Sequence, residues 1–148
     1  MKILLTVVSM FFCMGAMAST NDLKALDVLA KTLYYEARGE GERGIRAVAS
    51  TIVNRAVKKD KVASVENCMK QALKRKQYSC WNGKTDLKIG KGKTWELCRK
   101  IAYEMVVGKF EVTTEHTHYY AHKVVNPYWA KDVDKEKIGN HTFLTVRW

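Results

Sequence analysis

The chain has 148 residues, which is the length of one domain, and carries 26 Lys and Arg against 15 Asp and Glu, a formal net charge of +11. It contains no internal repeat, no low-complexity tract and no linker, and its single proline is Pro127. These features exclude an extended or multidomain chain. The positive charge favours polyanionic partners, such as anionic polymers, anionic lipid or nucleic acid, or serves solubility alone.

The N-terminal segment 1–18 has the features of a secretory signal. Lys2 precedes an apolar run over 3–16, and a small-x-small motif at 16–18 predicts cleavage before Ser19. The mature chain would keep 130 residues (148 less 18) and a charge of +10, because one lysine and no acid are lost. A retained membrane anchor is the alternative, although the run is shorter than the roughly 20 residues that a span needs.

Two amphipathic helices are predicted in the first third of the mature chain. The first covers 22–37, with Asn21 as its N-cap and Gly39 as the left-handed residue that ends it. The second covers 42–57. Their apolar faces consist of Leu26, Leu29, Ala30, Leu33 and Ala37 in the first, and of Ile45, Val48, Ala49, Ile52, Val53 and Ala56 in the second.

The rest of the chain predicts two more helices and short extended segments. A third helix begins near Ser64 and a fourth begins at Thr94 and ends at Gly108, with a long polar loop between them. Segments 110–125 and 138–146 mix β-branched and aromatic residues, which is typical of short strands or extended loops. The predicted class is α+β, mainly α. The predicted buried residues are Val65, Met69, Ala72 and Leu73, and then Trp95, Cys98, Ile101, Ala102 and Met105.

Three cysteines remain after the predicted cleavage. Outside the cytoplasm a disulfide is permitted, and an odd count leaves one thiol over. We expect Cys68 to pair with Cys80 and Cys98 to be a small buried residue, while pairing with Cys98 stays open. Cys80 is also a candidate nucleophile, although it lies in a polar loop rather than at a helix N-terminus.

Glu36 is the residue whose position most suggests chemistry. It follows Leu29 by seven residues and Leu33 by three, so it extends the apolar stripe of the first helix. It also lies in the last turn, where the helix dipole disfavours a carboxylate. Both effects oppose ionisation, and a carboxyl group that keeps its proton can protonate a leaving group. Glu40 falls outside the helix. An ion pair of Glu36 with Arg38 or a lysine is the structural alternative.

Histidines and aromatic residues concentrate in the second half. The histidines suggest a zinc site, but no H-E-x-x-H helix and no suitably spaced acids accompany them, so we expect neither metal nor cofactor. We expect His118 and His141 to form hydrogen bonds within a groove. Aromatic faces in loops can stack on sugars or bases or simply pack in the core. The histidines are His116, His118, His122 and His141, and the aromatic residues are Trp81, Tyr119, Tyr120, Tyr128 and Trp129.

Five elements, taken in order, resemble the cell wall hydrolase family that includes the spore cortex-lytic enzymes. "LAKTLYYEARGE" resembles its L-A-x-x-x-Y-x-E-A-R-G-E opening, and "GIRAVASTIVNR" resembles the helix that follows. "NC" with "QYSCW", "THYYAHKVVNPYWA" and "IGNHTFL" resemble the later elements. Together they span residues 29–144.

The resemblance implies one catalytic domain over 19–148, related to lysozymes and lytic transglycosylases, that cleaves peptidoglycan glycan strands. It implies Glu36 as the catalytic acid. It also implies peptidoglycan as partner and a monomer, with anionic wall polymers or the membrane surface bound by charge and no specific nucleic acid. The implied substrate-binding residues are Gln77, Tyr78, Trp81, Thr117, His118, Tyr119, Asn140 and His141.

No second carboxylate follows a pattern, so a single-acid lytic transglycosylase is the preferred mechanism. Glycosidases with two acids hold them roughly 5 to 9.5 Å apart. Hydrolysis of the same bond by water, a wall peptidase and a non-catalytic basic wall-binding protein remain the alternatives. The acids considered as partners are Glu40, Glu42, Asp86 and Asp132.

Overall fold

The computed structural model describes residues 18–146, which form four helices and a small antiparallel sheet. The class predicted from sequence, α+β and mainly α, is confirmed. No helix among these residues is both long and apolar enough to cross a membrane. The helices are α1 (Thr20–Ala37), α2 (Gly41–Asp60), α3 (Val65–Leu73) and α4 (Gly92–Val106), and the strands are β1 (His118–Ala121), β2 (Lys135–Ile138) and β3 (His141–Leu144). Two short 3₁₀ turns cover Ser79–Trp81 and Tyr128–Ala130.

The ends of α1 differ from the prediction. Ser19 rather than Asn21 is the N-cap: its side chain accepts from the Asp22 N–H, and the Asp22 carboxylate accepts from the Ser19 N–H in return. This capping box satisfies two otherwise free donors. Gly39 is not left-handed at the other end; Gly41, the first residue of α2, has a φ of +69° instead. The left-handed residue therefore comes two positions later than predicted, while α2 begins at Gly41, one residue before the predicted start.

The helices pack their predicted apolar faces together. Leu29, Leu33 and Ile52 are fully buried, and α1 contacts each of the other three helices. The buried face of α4 is confirmed, although α4 begins at Gly92, two residues before Thr94. Ser64 caps α3 as predicted. Leu73 is 39% exposed, so its predicted burial is wrong. Cys68 and Gln71 are buried on α3 instead.

Two buried polar side chains of α1, Lys31 and Thr32, help to fasten the long polar loop between α3 and α4. The ammonium of Lys31, a residue only 5% exposed, pairs with Asp27 at 2.7 Å and with Asp86 of the loop at 2.8 Å. The indole Nε1 of Trp81 donates to Thr32 Oγ1 at 2.8 Å inside the core. Because buried polar groups are costly unless they are paired, these contacts fix the loop against the end of α1.

The predicted disulfide between Cys68 and Cys80 is absent, since all three described cysteines are free thiols. Cys68 and Cys98 are buried in the apolar core, where each behaves as a small hydrophobic side chain. Burial raises the pKa of the Cys68 thiol to about 11 and that of Cys98 to about 12. Cys80 lies in the first 3₁₀ turn and faces Glu36 instead of Cys68. The expected burial of Cys98 is confirmed.

The sheet has the order β1-β3-β2, with both pairs antiparallel. β3 is the central strand, and all four of its residues are buried. Its Phe143 is opposite Tyr119 of β1, and its His141 is opposite Ala121. The sheet thus brings Tyr119 and the adjacent His141 to the end of α1.

Candidate active site

The Glu36 carboxylate is held by donors from two separate parts of the chain. Its Oε1 accepts from the Cys80 N–H at 3.1 Å and from the Ser79 hydroxyl at 3.3 Å. Its Oε2 accepts from the Tyr119 hydroxyl at 2.7 Å. Glu36 is half-buried at the end of the buried stripe of α1. The alternative partner, Arg38, stacks instead over Tyr34, with its Cζ 5.5 Å from the ring centroid. The carboxyl group is therefore fixed in orientation and still partly accessible.

Tyr119 reaches Glu36 because α2 holds the segment that leads into β1. Asn54 Nδ2 donates to the carbonyl oxygens of Thr114 and His116, each at 2.8 Å. Arg55 Nε donates to the carbonyl oxygen of Thr117. Three backbone carbonyl groups within residues 114–117 are thus paired with α2, which fixes where the following strand β1 starts. Asn54 and Arg55 were not identified as site residues from the sequence.

Tyr119 is placed as a donor to the acid. Its ring packs edge-on to His141, with centroids 4.9 Å apart, and lies against Phe143 at 5.5 Å. Burial and then the neighbouring Glu36 carboxylate raise the pKa of Tyr119 well above its usual value. The hydroxyl therefore keeps its proton throughout the physiological range and donates it in the hydrogen bond to Glu36.

Glu40, four residues after Glu36, holds a turn of the sheet in place. Its Oε2 accepts from the Asn140 N–H at 2.6 Å, and its Oε1 accepts from the Asn140 side-chain amide at 3.3 Å. Gly139 sits beside it with a φ of +60°, and a Cβ there would clash with the Glu40 carboxylate. Glu40 thus binds the turn between β2 and β3. Asn140, predicted to bind substrate, is exposed and is engaged in this contact.

Two of the predicted substrate-binding residues belong to the core. Tyr78 is completely buried, with its hydroxyl 3.2 Å from Thr51 Oγ1 and its ring under the Arg55 guanidinium. Complete burial leaves Tyr78 no surface for the predicted direct contact with substrate. Trp81 is 7% exposed, and its only polar atom is used by Thr32. Both rings support the surface below Glu36 rather than form it.

The remaining predicted residues lie around β1. Thr117 is buried, and its hydroxyl is 2.8 Å from His118 Nδ1. Gln77 is half-buried, and its Oε1 accepts from Arg55 at 3.3 Å. Burial and the positive charges of Arg55 and Lys58 lower the pKa of His118 to about 4. His118 is therefore a neutral ring at physiological pH.

His141 lies between the two glutamates of the opening motif. Its buried Nδ1 has no hydrogen-bond partner among the described residues. Burial lowers the pKa of His141, and the charges of Glu40 and Glu36 oppose that shift. A buried ring nitrogen without a partner is uncommon, so this atom is a free polar group beside the Tyr119 ring.

The histidines do not assemble into a metal centre. His116 Nδ1 lies 3.3 Å from Thr145 Oγ1 and His122 Nδ1 lies 3.0 Å from Thr142 Oγ1, so each ring is paired with a threonine. Within residues 18–146 no group of three or more His, Cys, Asp and Glu side chains is arranged to hold a metal ion. Cys80 is no better placed as a nucleophile, because burial and the adjacent Glu36 carboxylate raise the pKa of its thiol.

Two cavities in the described part of the chain border the segment that leads into β1. The larger, of about 960 Å³, is lined by Glu115, His116, Trp129, Asp132, Val133, Asp134, Thr145 and Val146. It contains none of the groups that contact Glu36. The smaller, of about 330 Å³, is lined by Arg55, Lys58, Lys59, Gln71, Lys74 and Thr117. It shares Arg55 and Thr117 with the contacts that position β1.

Sequence reasoning missed three residues of the site, Ser79, Asn54 and Arg55, and gave Cys80 roles other than the one it has. Ser79 and Cys80 donate to Glu36, and Asn54 and Arg55 position the strand that carries Tyr119. The "QYSCW" element pointed to the segment that contains Ser79 and Cys80. The backbone N–H of Cys80 could not be identified as a donor, because every residue except proline has one. For Asn54 and Arg55 the signal was two polar residues between Val53 and Ala56 on an apolar helix.

The comparisons with known proteins agree on one group. A family model described as Cell Wall Hydrolase matches residues 39–144, so it begins three residues after Glu36. The solved structure of the catalytic domain of the germination-specific lytic transglycosylase SleB from Bacillus anthracis matches with a TM-score of 0.61 and 22% identity. That match covers 88% of this chain and 98% of that one, and it concerns the fold. No curated protein matches the chain.

Proposed function

Because the chain belongs to the cell wall hydrolase family, we propose that it cleaves peptidoglycan glycan strands between N-acetylmuramic acid and N-acetylglucosamine, with Glu36 as the only catalytic acid. The observation that carries the proposal is the set of donors on Glu36. Cys80 and Ser79 hold one oxygen and Tyr119 holds the other, so the carboxyl group has one orientation. A fixed acid within reach of a bound glycosidic oxygen is what proton transfer requires.

The reaction runs in two steps on one carboxyl group. Glu36 gives its proton to the glycosidic oxygen as the bond from that oxygen to the muramic C1 breaks, through an oxocarbenium-like transition state. The C6 hydroxyl of the same muramic residue then attacks C1, and its proton passes to Glu36. The acid is regenerated, no water is consumed, and the product carries a 1,6-anhydromuramic end.

The single-acid route is supported by the contacts of the other acids. Glu40 binds the turn at Asn140, and Glu42 pairs with Arg46 at 2.9 Å. Asp86 pairs with the buried Lys31, and Asp132 lines the separate larger cavity. None of these four acids forms a hydrogen bond with the donors that hold Glu36, which supports the single-acid route.

The test compares wild type with Glu36→Gln on purified peptidoglycan. The variant replaces one carboxyl oxygen by an amide and keeps the shape, so we expect cleavage to fall by at least about a thousandfold if Glu36 supplies the proton. Mass spectrometry of the released muropeptides then separates the two chemistries. Products with anhydromuramic ends support the transglycosylase, whereas products heavier by one water assign the hydrolytic alternative.

The same experiment distinguishes the proposed glycosidase from the two other classes of function. A wall peptidase would release peptides, retain its activity in Glu36→Gln and lose it after changes at Cys80 or the histidines. A non-catalytic wall-binding protein would leave glycan chain length unchanged. The peptidase is not supported by the site, because the Cys80 thiol is kept protonated and the rings of His116 and His122 are paired with threonines.

We further propose that the chain is exported and that Ser19 becomes its first residue. The predicted signal segment lies almost wholly outside the described residues 18–146. The proposal is supported by the start of α1 directly after the predicted cleavage site, with Ser19 as its cap. An intact mass from the mature protein tests it: removal of the first eighteen residues is expected, and a retained N-terminus contradicts it.

A further inference from the structure

A basic cleft opens where the C-terminal ends of α2 and α3 meet the start of β1. We name it the α2–α3 cleft; it has a volume of about 330 Å³. Its lining contains four cations and no acid: Arg55, Lys58 and Lys59 from α2, Lys74 after α3, and the neutral side chains of Gln71 and Thr117. The volume lies within the range of about 300 to 1,000 Å³ that is usual for small-ligand sites.

Helix ends alone do not explain this composition. The last turn of a helix favours basic residues because its free carbonyl groups carry partial negative charge, and this accounts for Lys58 and Lys59. Gln71 and Thr117, by contrast, are polar side chains that are 3% and 5% exposed and line the same wall. Arg55 lies further from the helix end, with its guanidinium held by the Thr117 carbonyl. The cleft thus combines exposed charge with a buried polar floor.

No acid of the described residues neutralises the cleft from its lining. Glu66, on the first turn of α3, is paired with Lys70 at 2.7 Å, and the charge of Asp60 acts on Lys70 as well. Lys58 donates to the Val146 carbonyl. The positive potential reaches the neighbouring strand, because Arg55 and Lys58 both disfavour protonation of His118.

The α2–α3 cleft is linked to the site around Glu36 through the segment that leads into β1. Arg55 binds the carbonyl of Thr117, and the Thr117 hydroxyl contacts His118. Tyr119, the next residue, donates to Glu36. A ligand in the cleft would therefore contact Thr117, which lies two residues before the donor to Glu36.

We propose that the α2–α3 cleft binds the carboxylate groups that hang from the muramic residues of the glycan strand, so that the enzyme prefers strands whose muramic substituents are anionic. This inference rests on the function proposed above. The sugar rings of the strand are uncharged, and its carboxylates are on the lactyl groups at muramic C3 or on the peptides attached to those groups. Two lysines with a buried amide and hydroxyl match a carboxylate in charge and in hydrogen bonding. The acid acts on the backbone of the strand while the cleft holds its side group.

The experiment neutralises two cleft lysines that are exposed and form no ion pair among the described residues. Lys59→Met with Lys74→Met keeps most of each stem and removes two charges. Lys24→Met with Lys93→Met is the matched control, because it makes the same change in net charge at exposed positions outside the lining. Both pairs are made in the Glu36→Gln background, where binding is measured without turnover.

The probes are a soluble muramyl tripeptide and its carboxyl-amidated form. We expect the Glu36→Gln protein to bind the native probe about tenfold more tightly than the amidated one, and the cleft pair to bind both equally weakly. The control pair should keep the tenfold difference. Equal affinity for the two probes in the Glu36→Gln protein, or an equal loss in the control pair, would overturn the proposal.

A second arm measures kcat/KM of the otherwise wild-type enzyme on sacculi freed of phosphate polymers. Amidation of these sacculi is expected to lower the rate about tenfold for wild type and not for the cleft pair. If the cleft pair is impaired only on sacculi that keep phosphate polymers, the ligand is a phosphodiester and the carboxylate assignment is wrong. Probe binding without any glycan cleavage would refute the proposed function and leave the cleft as a carboxylate site.

Discussion

Tyr119→Phe removes one atom from the site and leaves the ring. The lost hydroxyl is the donor to Glu36 Oε2 at 2.7 Å, while the packing against His141 and Phe143 is kept. A hydrogen bond to an ionised group contributes about 1.5 to 3 kcal/mol. Because each 1.4 kcal/mol corresponds to about a factor of ten in rate, we expect kcat to fall about 10- to 100-fold. KM should change little, since the hydroxyl positions the acid rather than the sugar.

The assay follows release of muropeptides from purified peptidoglycan at several substrate concentrations. Tyr120→Phe is the matched control: Tyr120 is the next residue on β1 and packs edge-on to Trp129, with centroids 6.0 Å apart, on the other side of the strand. It should keep wild-type kcat and KM. Unchanged kcat in Tyr119→Phe, or the same loss in Tyr120→Phe, would refute the positioning role of Tyr119.

Three further outcomes concern stability and are read from thermal or urea unfolding. Glu104→Gln should cost about 1 to 3 kcal/mol at neutral pH, because it breaks the two-bond pair with Arg46. The hydrogen bond from Arg46 lowers the pKa of Glu104 in the folded protein. The stabilisation is therefore fully present above the unfolded-state pKa of about 4.3 and is lost as the pH falls through the lowered folded-state pKa. In acid the variant should be as stable as wild type. Gly139→Ala should cost at least about 1 kcal/mol, through its left-handed φ and its clash with Glu40. Trp81→Phe should cost about 1 to 3 kcal/mol, because a buried hydrogen bond and ring volume are lost.

The helical part of the fold was predictable because it depends on periodicity. The stripe of Leu29 and Leu33 and the face of Ile101 and Met105 are buried as predicted, since one side of a surface helix must face the core. The helix termini were not predicted as well. Ser19 rather than Asn21 caps α1 because a reciprocal partner, Asp22, lies three residues further on.

The burial of a site residue was predictable only where the residue lies on a predicted helix. Glu36 extends a buried stripe, so its position at the core edge follows from residue spacing. Tyr78 and Trp81 come from an irregular loop, where residue type does not tell whether a ring faces inward or outward. Their burial is decided by long-range partners, Thr51 for one and Thr32 for the other. The prediction of a Cys68–Cys80 disulfide was wrong for the same reason, because residue type does not tell where a side chain in an irregular loop points.

Glu36 and Glu40, the two glutamates of "EARGE", are linked to each other through the sheet. Glu40 binds the turn at Asn140, and that turn begins β3, which pairs with β1 so that Phe143 is opposite Tyr119. Tyr119 in turn donates to Glu36. Because Glu36 and Glu40 lie only four residues apart, these contacts form a closed circuit, and a shift of the turn at Asn140 would move the Tyr119 hydroxyl relative to Glu36. It follows that Glu40→Gln should slow the reaction through the position of Tyr119, and that combining it with Tyr119→Phe should cost less than the sum of the two separate losses.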